Sequence, residues 1–455
     1  MSTATTLSQY LQRQKAQFLQ DNGLGWTIVM GNEAGDLDTV ASSIGFAWYQ
    51  AQYGAQDCHR KAIALVPTPR ADFSLRPENI HALALAGITD PFGELLCPED
   101  LSAAHHCTRY ALVDHNTLDT RYSSSDARVV AVIDHHEDEG KYRDTASPRI
   151  IEPCGSSASL VTSLCMSYSS SDHHSQIPPE LAVLLLSAIT IDTQGLRKGG
   201  KAIDVDRAAA AWLLPYAKNA SSLSSSPDVA SDTPGGPGTY TLEEISGQPL
   251  ISSLATALNS EKRAVSDLST RDLLRRDYKQ YTFQLSSALS RGTGGTIQAG
   301  LSTVPLPLST FFKSGSASVV AMTVAWMEEC GLSILGVLTT YRNKKDKGRR
   351  EQLWIVDERN AGSGQRELAH ALFNGLEAQE TLLLKRVAYS RYGFGGSKVD
   401  DDDDNEDETP LSAVDLASSP FKDPFIARVY NQKNTHASRK QVAPILKRIV
   451  EGELD

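Results

Sequence analysis

The chain has no long apolar run. Its longest mostly apolar stretch, Leu181 to Ile191, is too short to span a bilayer, so no membrane partner is expected. The N-terminus lacks both the apolar core of a signal peptide and the arginine-rich, acid-poor pattern of a transit peptide. No two cysteines form a CxxC pair: Cys58, Cys97, Cys107, Cys154, Cys165 and Cys330 are scattered. That argues against a structural zinc site and a disulfide framework, and predicts reduced thiols in a cytoplasmic protein. Positive charge is short as well. With 44 Lys and Arg against 55 Asp and Glu, the formal net charge is −11, which speaks against a nucleic-acid partner.

The deficit is uneven. Much of the acid sits in Asp400 to Asp404 with Glu406, Asp407 and Glu408, a self-repelling block expected to be a disordered insertion within about 399–420. Basic knots at Arg271–Arg276, Lys344–Arg350 and Arg439–Arg448 leave local sites for an anion. At 455 residues, with 40% hydrophobic and 22% charged residues, the chain has the composition of a soluble globular protein of two domains. Ser221 to Gly238 is rich in Ser, Pro and Gly. The expected division is therefore 1–220, a flexible linker or insertion at 221–240, and 241–455.

In the first half, strand-like runs alternate with helix-like ones. Trp26–Met30 leads into Asn32-Glu33-Ala34-Gly35-Asp36-Leu37-Asp38 and then a helical stretch. Tyr110–Val113 ends at Asp114-His115-Asn116. Val129–Ile133 ends at Asp134-His135-His136, and the helix-like Pro179–Thr190 runs into Asp192. Short-spaced alternation predicts βαβ units and a mostly parallel sheet, whose ligands gather at the carboxyl ends of the strands. A lone Asp after a strand is usually a cap or turn former. Four acid-bearing element ends on one edge form a candidate site.

The chemistry of that set is metal-assisted. Asp36 and Asp38 are two apart, so in an extended loop both side chains point to one side. Each can then serve a different one of two neighbouring ions, with Asp114 bridging them. Oxygen ligands with one or two imidazoles and no thiolate suit Mg²⁺, Mn²⁺ or Co²⁺ better than a closed zinc site. Two such ions ~3.5–4 Å apart can clamp the attacking and leaving oxygens of a phosphoryl transfer.

Asn32 to Thr39, Leu112 to Asn116, Val132 to His136 and Thr190 to Thr193 resemble, in order, the four motifs of the DHH phosphoesterase superfamily. The set of four is specific; Asp134-His135-His136 alone is not. The resemblance implies that Asn32, Asp36 and Asp114 hold one metal, and that Asp38, Asp114, His135 and Asp192 hold the other. It implies that His136 faces the substrate phosphate and that Asp134 orients a histidine. Related manganese-dependent pyrophosphatases open the first motif with His, whereas eukaryotic exopolyphosphatases and their Prune relatives carry Asn, as at Asn32 here. An amide oxygen is a harder ligand than imidazole, so a site content with Mg²⁺ is expected.

The second half alternates again, with helix-like Leu268–Leu289 and strand-like Thr296–Val304, Leu332–Thr340 and Leu353–Val356. Asp277-Tyr278-Lys279 and Ser438-Arg439-Lys440 resemble the basic clusters of the DHHA-type domain, which closes over the metals and clamps the anion. Arg takes a phosphate bidentately and Lys adds a movable charge. On their own these bases read as ordinary surface residues, as Lys344–Arg350 reads as a solvated hairpin tip.

The expected protein is α/β throughout: a mostly parallel DHH domain and a smaller α/β domain, with the active site in the cleft between them. The expected activity is that of a monomeric exopolyphosphatase using two divalent cations, Mg²⁺ or Mn²⁺ with Co²⁺ as a third option. His136, Lys279, Arg439 and Lys440 would act on the polyphosphate. A pyrophosphatase, a Prune-like hydrolase of cyclic nucleotides or short polyphosphates, and a scaffold on a retired phosphoesterase fold are the competing readings.

Overall fold

A computed structural model of the chain describes residues 5–54, 61–101, 105–169, 176–220, 240–265, 267–290, 294–313, 316–345, 347–360, 367–392, 394 and 419–453. They form two units that divide between Ala264 and Val265.

In the first unit, β1 (Thr27–Met30), β2 (Ala62–Leu65), β3 (Arg109–Val113), β4 (Arg128–Asp134) and β5 (Arg149–Ile151) form one sheet in the order β2-β1-β3-β4-β5. Every neighbouring pair is parallel. β1 and β2 are buried along their whole length, as strands covered on both faces must be. Val29, Ala111, Val113, Ala131 and Ile133 point into one core, while Ile28, Met30, Leu112 and Val132 point into a second.

Helix α1 (Leu7–Gln20) adds Leu7 and Leu11 to the larger core, which also holds α2 (Leu37–Tyr53), α3 (Pro77–Leu85), α4 (Ser157–Ser169), α5 (Pro179–Asp192), α6 (Asp204–Ala217) and α7 (Pro249–Arg263). α5 is surrounded by α2, α4, α6 and α7, so Leu181 to Ile191 is buried at every position. A run that is apolar all round, at ~1.5–3 kcal/mol per large side chain, is what such a central helix needs. Among the described residues no helix is long and apolar enough to cross a membrane.

α7 packs on α3 and α5, so the first unit continues well past the Ser/Pro/Gly stretch. Of that stretch, 221–239 lies outside the described residues, as do 399–418 of the acidic insertion.

The second unit is a mixed sheet in the order β11-β12-β10-β8-β7-β6. It comprises β6 (Tyr278–Gln284), β7 (Thr296–Val304), β8 (Ile334–Thr339), β10 (Gly348–Asp357), β11 (Leu384–Val387) and β12 (Phe425–Gln432), with β9 (Tyr341–Arg342) paired to β10. Only β7 and β8 run parallel; the remaining pairs are antiparallel. α10 (Glu367–Glu377) and α11 (Arg439–Glu451) cover one face, while α8 (Thr270–Arg276) and α9 (Ser316–Glu329) cover the other.

The helix expected over Leu268–Leu289 is only α8; β6 replaces its second half. Tyr278, Tyr281, Thr282 and Phe283 favour a strand, and β6 pairs with β7 from Tyr278↔Ser302 to Gln284↔Thr296.

One buried carboxylate joins the helices near the site. Asp206 is fully buried and accepts from the Gly155 and Ile203 amides (both 2.9 Å) and from the Ser159 hydroxyl (2.7 Å). It ties the start of α6 to the segment leading into α4. Asp206→Ala strands these donors, so it should cost about 2–4 kcal/mol. Hydrogen exchange in α4 and α6 should accelerate accordingly; unchanged protection would contradict this role.

Candidate active site

The carboxyl ends of β1, β3 and β4 and the end of α5 carry the acids. The loop after β1 turns into α2 at Asp36, the N-cap, whose carboxylate accepts from Thr39 N (3.0 Å). Asp38 follows in the first turn and is almost fully buried. It accepts from Ser156 Oγ (2.7 Å) and Ser42 Oγ (3.2 Å), and from the Ser157 and Ala158 amides (2.7 and 2.9 Å) at the start of α4. A helix N-terminus stabilises such an anion.

Asp114 ends β3 in the left-handed region, at φ +59°. One of its oxygens accepts from Asn32 Nδ2 (2.6 Å) and Thr39 Oγ1 (2.7 Å). The other lies 3.3 Å from His135 Nε2 and 3.7 Å from His136 Nδ1. His135 Nε2 is also 3.9 Å from Asp38, and its Nδ1 is 3.1 Å from the Cys154 carbonyl. Ligand atoms of Asp114, His135 and His136 all lie within 4.8 Å of one another and could hold a metal ion.

The two histidines differ. His135 has a side chain only 5% exposed and wedged among the acids, whereas His136 is 25% exposed. Asp134 orients His136 rather than His135: its carboxylate is 2.7 Å from His136 Nδ1, and its other oxygen accepts from Asn116 Nδ2 (2.6 Å).

Charge is crowded here. Burial drives the Asp38 carboxyl well above the usual carboxylate range, and Asp114 and Asp192 push the same way. Burial and Asp36 push Asp192 up to about 6, against the pull of Lys262 and Lys201. Burial opposes ionisation of Asp114 too, but the His135 hydrogen bond and the histidine charges outweigh it and hold this carboxyl low. His135 is raised well above an ordinary imidazole: burial disfavours its charge, and the Asp114 hydrogen bond wins.

Asn32 differs from a ligand in its present orientation. Its oxygen accepts from Ala34 N (2.9 Å) while its nitrogen donates to Asp114, so a ligand role requires the amide to turn over.

Residues 26–189 match the DHH family, N-terminal domain, and residues 256–449 match the DHHA2 domain. This chain belongs to the DHH phosphoesterase superfamily. It is 32% identical over 268 residues to a Schizosaccharomyces pombe protein named "Putative exopolyphosphatase", covering 56% of this chain and 60% of that one. It is 32% identical to a "Probable manganese-dependent inorganic pyrophosphatase" of Shouchella clausii, over 42% of this chain and 55% of that one. With mouse "Exopolyphosphatase PRUNE1" it shares 31% over 34% of each. The chain thus spans from one third to three fifths of these relatives. A solved family II inorganic pyrophosphatase of Methanococcus jannaschii, called putative in its description, shares the fold: TM-score 0.51, 18% identity, 93% of this chain and 99% of that one.

In the DHHA2 domain the two basic clusters meet. Arg439 donates through Nη1 to the Asp277 carbonyl (2.8 Å) and pairs through Nη2 with its carboxylate (2.8 Å). Lys279 lies two residues on, in β6, and Lys440 is exposed beside Arg439 in the first turn of α11. A buried amide relay braces this turn: Trp354 Nε1 donates to Gln352 (2.7 Å), Gln352 Nε2 to Gln432 (2.6 Å), and Gln432 Nε2 to the Ala437 carbonyl (2.7 Å).

Several supporting groups have no sequence reading behind them. Thr39, Ser42 and the Gly155–Ala158 segment hold the acids, and Asn116 ties Asp134 to the Glu137 carbonyl (2.9 Å). Buried Arg76 and Asn79 clamp the first motif through the Ala34 and Gly35 carbonyls (2.5 and 2.8 Å). Gly35 has φ +57°, and a Cβ there would meet the Thr68 hydroxyl at 1.9 Å. A Gly-Ser-Ser run just before a helical stretch is the one sequence signal that could have flagged an anion cradle.

Without metal, the folded DHH domain holds protons that the unfolded chain has released. Asp192 does so between about 3.8 and 6, and His135 from about 6.5 upward. Stability in a chelator should therefore fall as pH rises from 5.5 to 8. Asp114 and Asp134, both depressed, act only below about 4. A divalent cation replaces these protons, so Mn²⁺ should raise the melting temperature more at pH 8 than at pH 5.5. Calorimetry at pH 6 in buffers of different ionisation heat should show proton release on binding. Equal thermal shifts with no proton release would contradict the account.

Proposed function

We propose that this chain is a metal-dependent exopolyphosphatase that removes the terminal phosphate of inorganic polyphosphate. The observation that carries the reading is the meeting of Asp38, Asp114 and His135, electrostatically coupled to Asp36 and Asp192, at the carboxyl edge of the sheet. The chain's likeness to the Schizosaccharomyces pombe protein named "Putative exopolyphosphatase" supports the substrate class.

The donor set fits divalent cations. Carboxylates that push one another's protons on, with an imidazole forced to take a proton among them, lack positive charge of their own. Asp36 and Asp114 would hold one ion, with Asn32 if its amide turns over. Asp38, Asp114, His135 and Asp192 would hold the other. Mg²⁺ or Mn²⁺ suits oxygen-rich ligands, and Co²⁺ is a third option. When bound, such ions polarise the phosphoryl group and lower the pKa of water.

The chain's residues do the rest. Asp134 holds His136 through Nδ1, which leaves Nε2 to face the phosphate and favour charge on the leaving oxygen. Arg439, held in one direction by Asp277, would supply positive charge to the phosphate, and Lys440 and Lys279 would add point charges. Water adds to the terminal phosphorus, the bridging P–O bond breaks, and orthophosphate leaves with a chain one unit shorter.

A pyrophosphatase is the second reading, favoured by the relative from Shouchella clausii. Asn32 separates the two, since it places an amide where the related pyrophosphatases have an imidazole.

Phosphate release from long polyphosphate, pyrophosphate and cyclic AMP, each with Mg²⁺, Mn²⁺ and Co²⁺, should favour long polyphosphate; a preference for pyrophosphate would overturn the assignment. Asp114→Ala should lower kcat by about 10³-fold or more, on the scale of losing a principal electrostatic group. Arg439→Ala should act mainly on KM. Full activity in Asp114→Ala would sink the metal scheme.

A further inference from the structure

Residues 342–350 carry six basic side chains and one acidic one, in a chain whose net charge is −11. Arg342 lies in β9 and Gly348 to Arg350 in β10, a hairpin that pairs Gly348 with Arg342 and Arg349 with Tyr341; Asp346 lies outside the described residues. The tip is built rather than loose: Asn343 N donates to the Lys347 carbonyl (3.0 Å), and Asn343 Oδ1 accepts from the Lys345 and Lys347 amides (3.1 and 2.9 Å). Arg342, Lys344, Lys345 and Lys347 are exposed.

The strand registers fix where this hairpin is rooted. Arg350 of β10 pairs with Gln432 of β12, Thr339 of β8 with Val304 of β7, and Ser302 of β7 with Tyr278 of β6. The end of the sheet that starts the hairpin is therefore the end that carries Lys279 and the turn into Arg439 and Lys440. One strand spacing, about 4.8 Å, separates β10 from β12. Arg350 bridges the two directly, donating through Nε to the Thr435 carbonyl (2.8 Å) four residues before Arg439. Asp277 holds Arg439 at this end, and buried Glu351 accepts from Leu308 N (2.7 Å) and Tyr392 OH (2.9 Å).

We propose that the β9–β10 hairpin extends the Arg439–Lys440 cluster into a second holding element for inorganic polyphosphate, reached only by chains long enough to run on past that cluster. The proposal rests on the exopolyphosphatase reading for its ligand. A bare phosphate chain fits better than single-stranded nucleic acid, because residues 342–350 contain no aromatic side chain on which bases could stack. A flexible polyanion needs only spaced charge, and binding it releases counterions, so affinity depends steeply on salt.

The test compares the full chain with Lys344→Glu/Lys347→Glu, and with Lys344→Arg/Lys347→Arg as the charge-conserving control. For long-chain polyphosphate the Glu variant should raise KM about tenfold, and the Arg variant should match wild type. Hydrolysis of tripolyphosphate should stay within about twofold in all three. Binding of long-chain polyphosphate in EDTA should weaken in the Glu variant, with a log–log salt slope shallower by about one or more. An unchanged long-chain KM with unchanged binding in EDTA would overturn the proposal, as would single-stranded RNA displacing polyphosphate at lower concentration. If wild type binds long chains through these lysines but hydrolyses none, the hairpin assignment stands and the exopolyphosphatase reading falls.

Discussion

Carboxylate repulsion is the constraint around which the first unit is arranged. Asp36, Asp38, Asp114 and Asp192 are drawn together with one buried imidazole, and the fold supplies donors to make that tolerable. Asp38 is held by two serine hydroxyls and two helix amides, and Asp114 by an amide and a threonine. Even so, the pressure of burial and like charge is visible in the protons that Asp38 and Asp192 retain. The parallel sheet matters because it delivers β1, β3 and β4 to one edge, leaving helix termini and loops to supply the remaining contacts.

The second unit follows a different rule. Its basic residues sit on a sheet end and a helix start, where Arg439 is only part-buried. The pairing with Asp277 fixes its direction, and the Trp354–Gln352–Gln432 relay stiffens the turn that carries it. A fully satisfied buried amide chain adds little net stability but fixes one backbone arrangement. Asp134 and Asn116 play the same part behind His136.

Much of this was legible in the sequence because periodicity and element ends are local. Val129–Ile133 running into Asp134 could be read as a buried parallel strand, and four acid-bearing ends implied a shared edge. Pairing partners were not legible. β6 looked like the continuation of a helix because its strand character rests on its pairing with β7. β12, with its alternating Phe425–Gln432 pattern, shows its role only between β10 and β11. Asp206 was hidden for a similar reason: an Asp near a helix start reads as a cap, and only packing brings it to Gly155. The orientation of Asn32 depends on which neighbour takes its nitrogen, which residue type does not state.

Asp114 sits at φ +59°, a backbone region that Asp, Asn and Gly enter far more readily than longer or branched residues. That narrows the substitutions this position tolerates with a sound fold. Glutamate would keep the charge but strain the main chain, and alanine would lose the contacts to Asn32 and Thr39. Asparagine alone keeps both the backbone and an oxygen for Thr39. A chain with that one-atom change would lose the carboxylate charge beside His135, and its fold would give little outward sign of it.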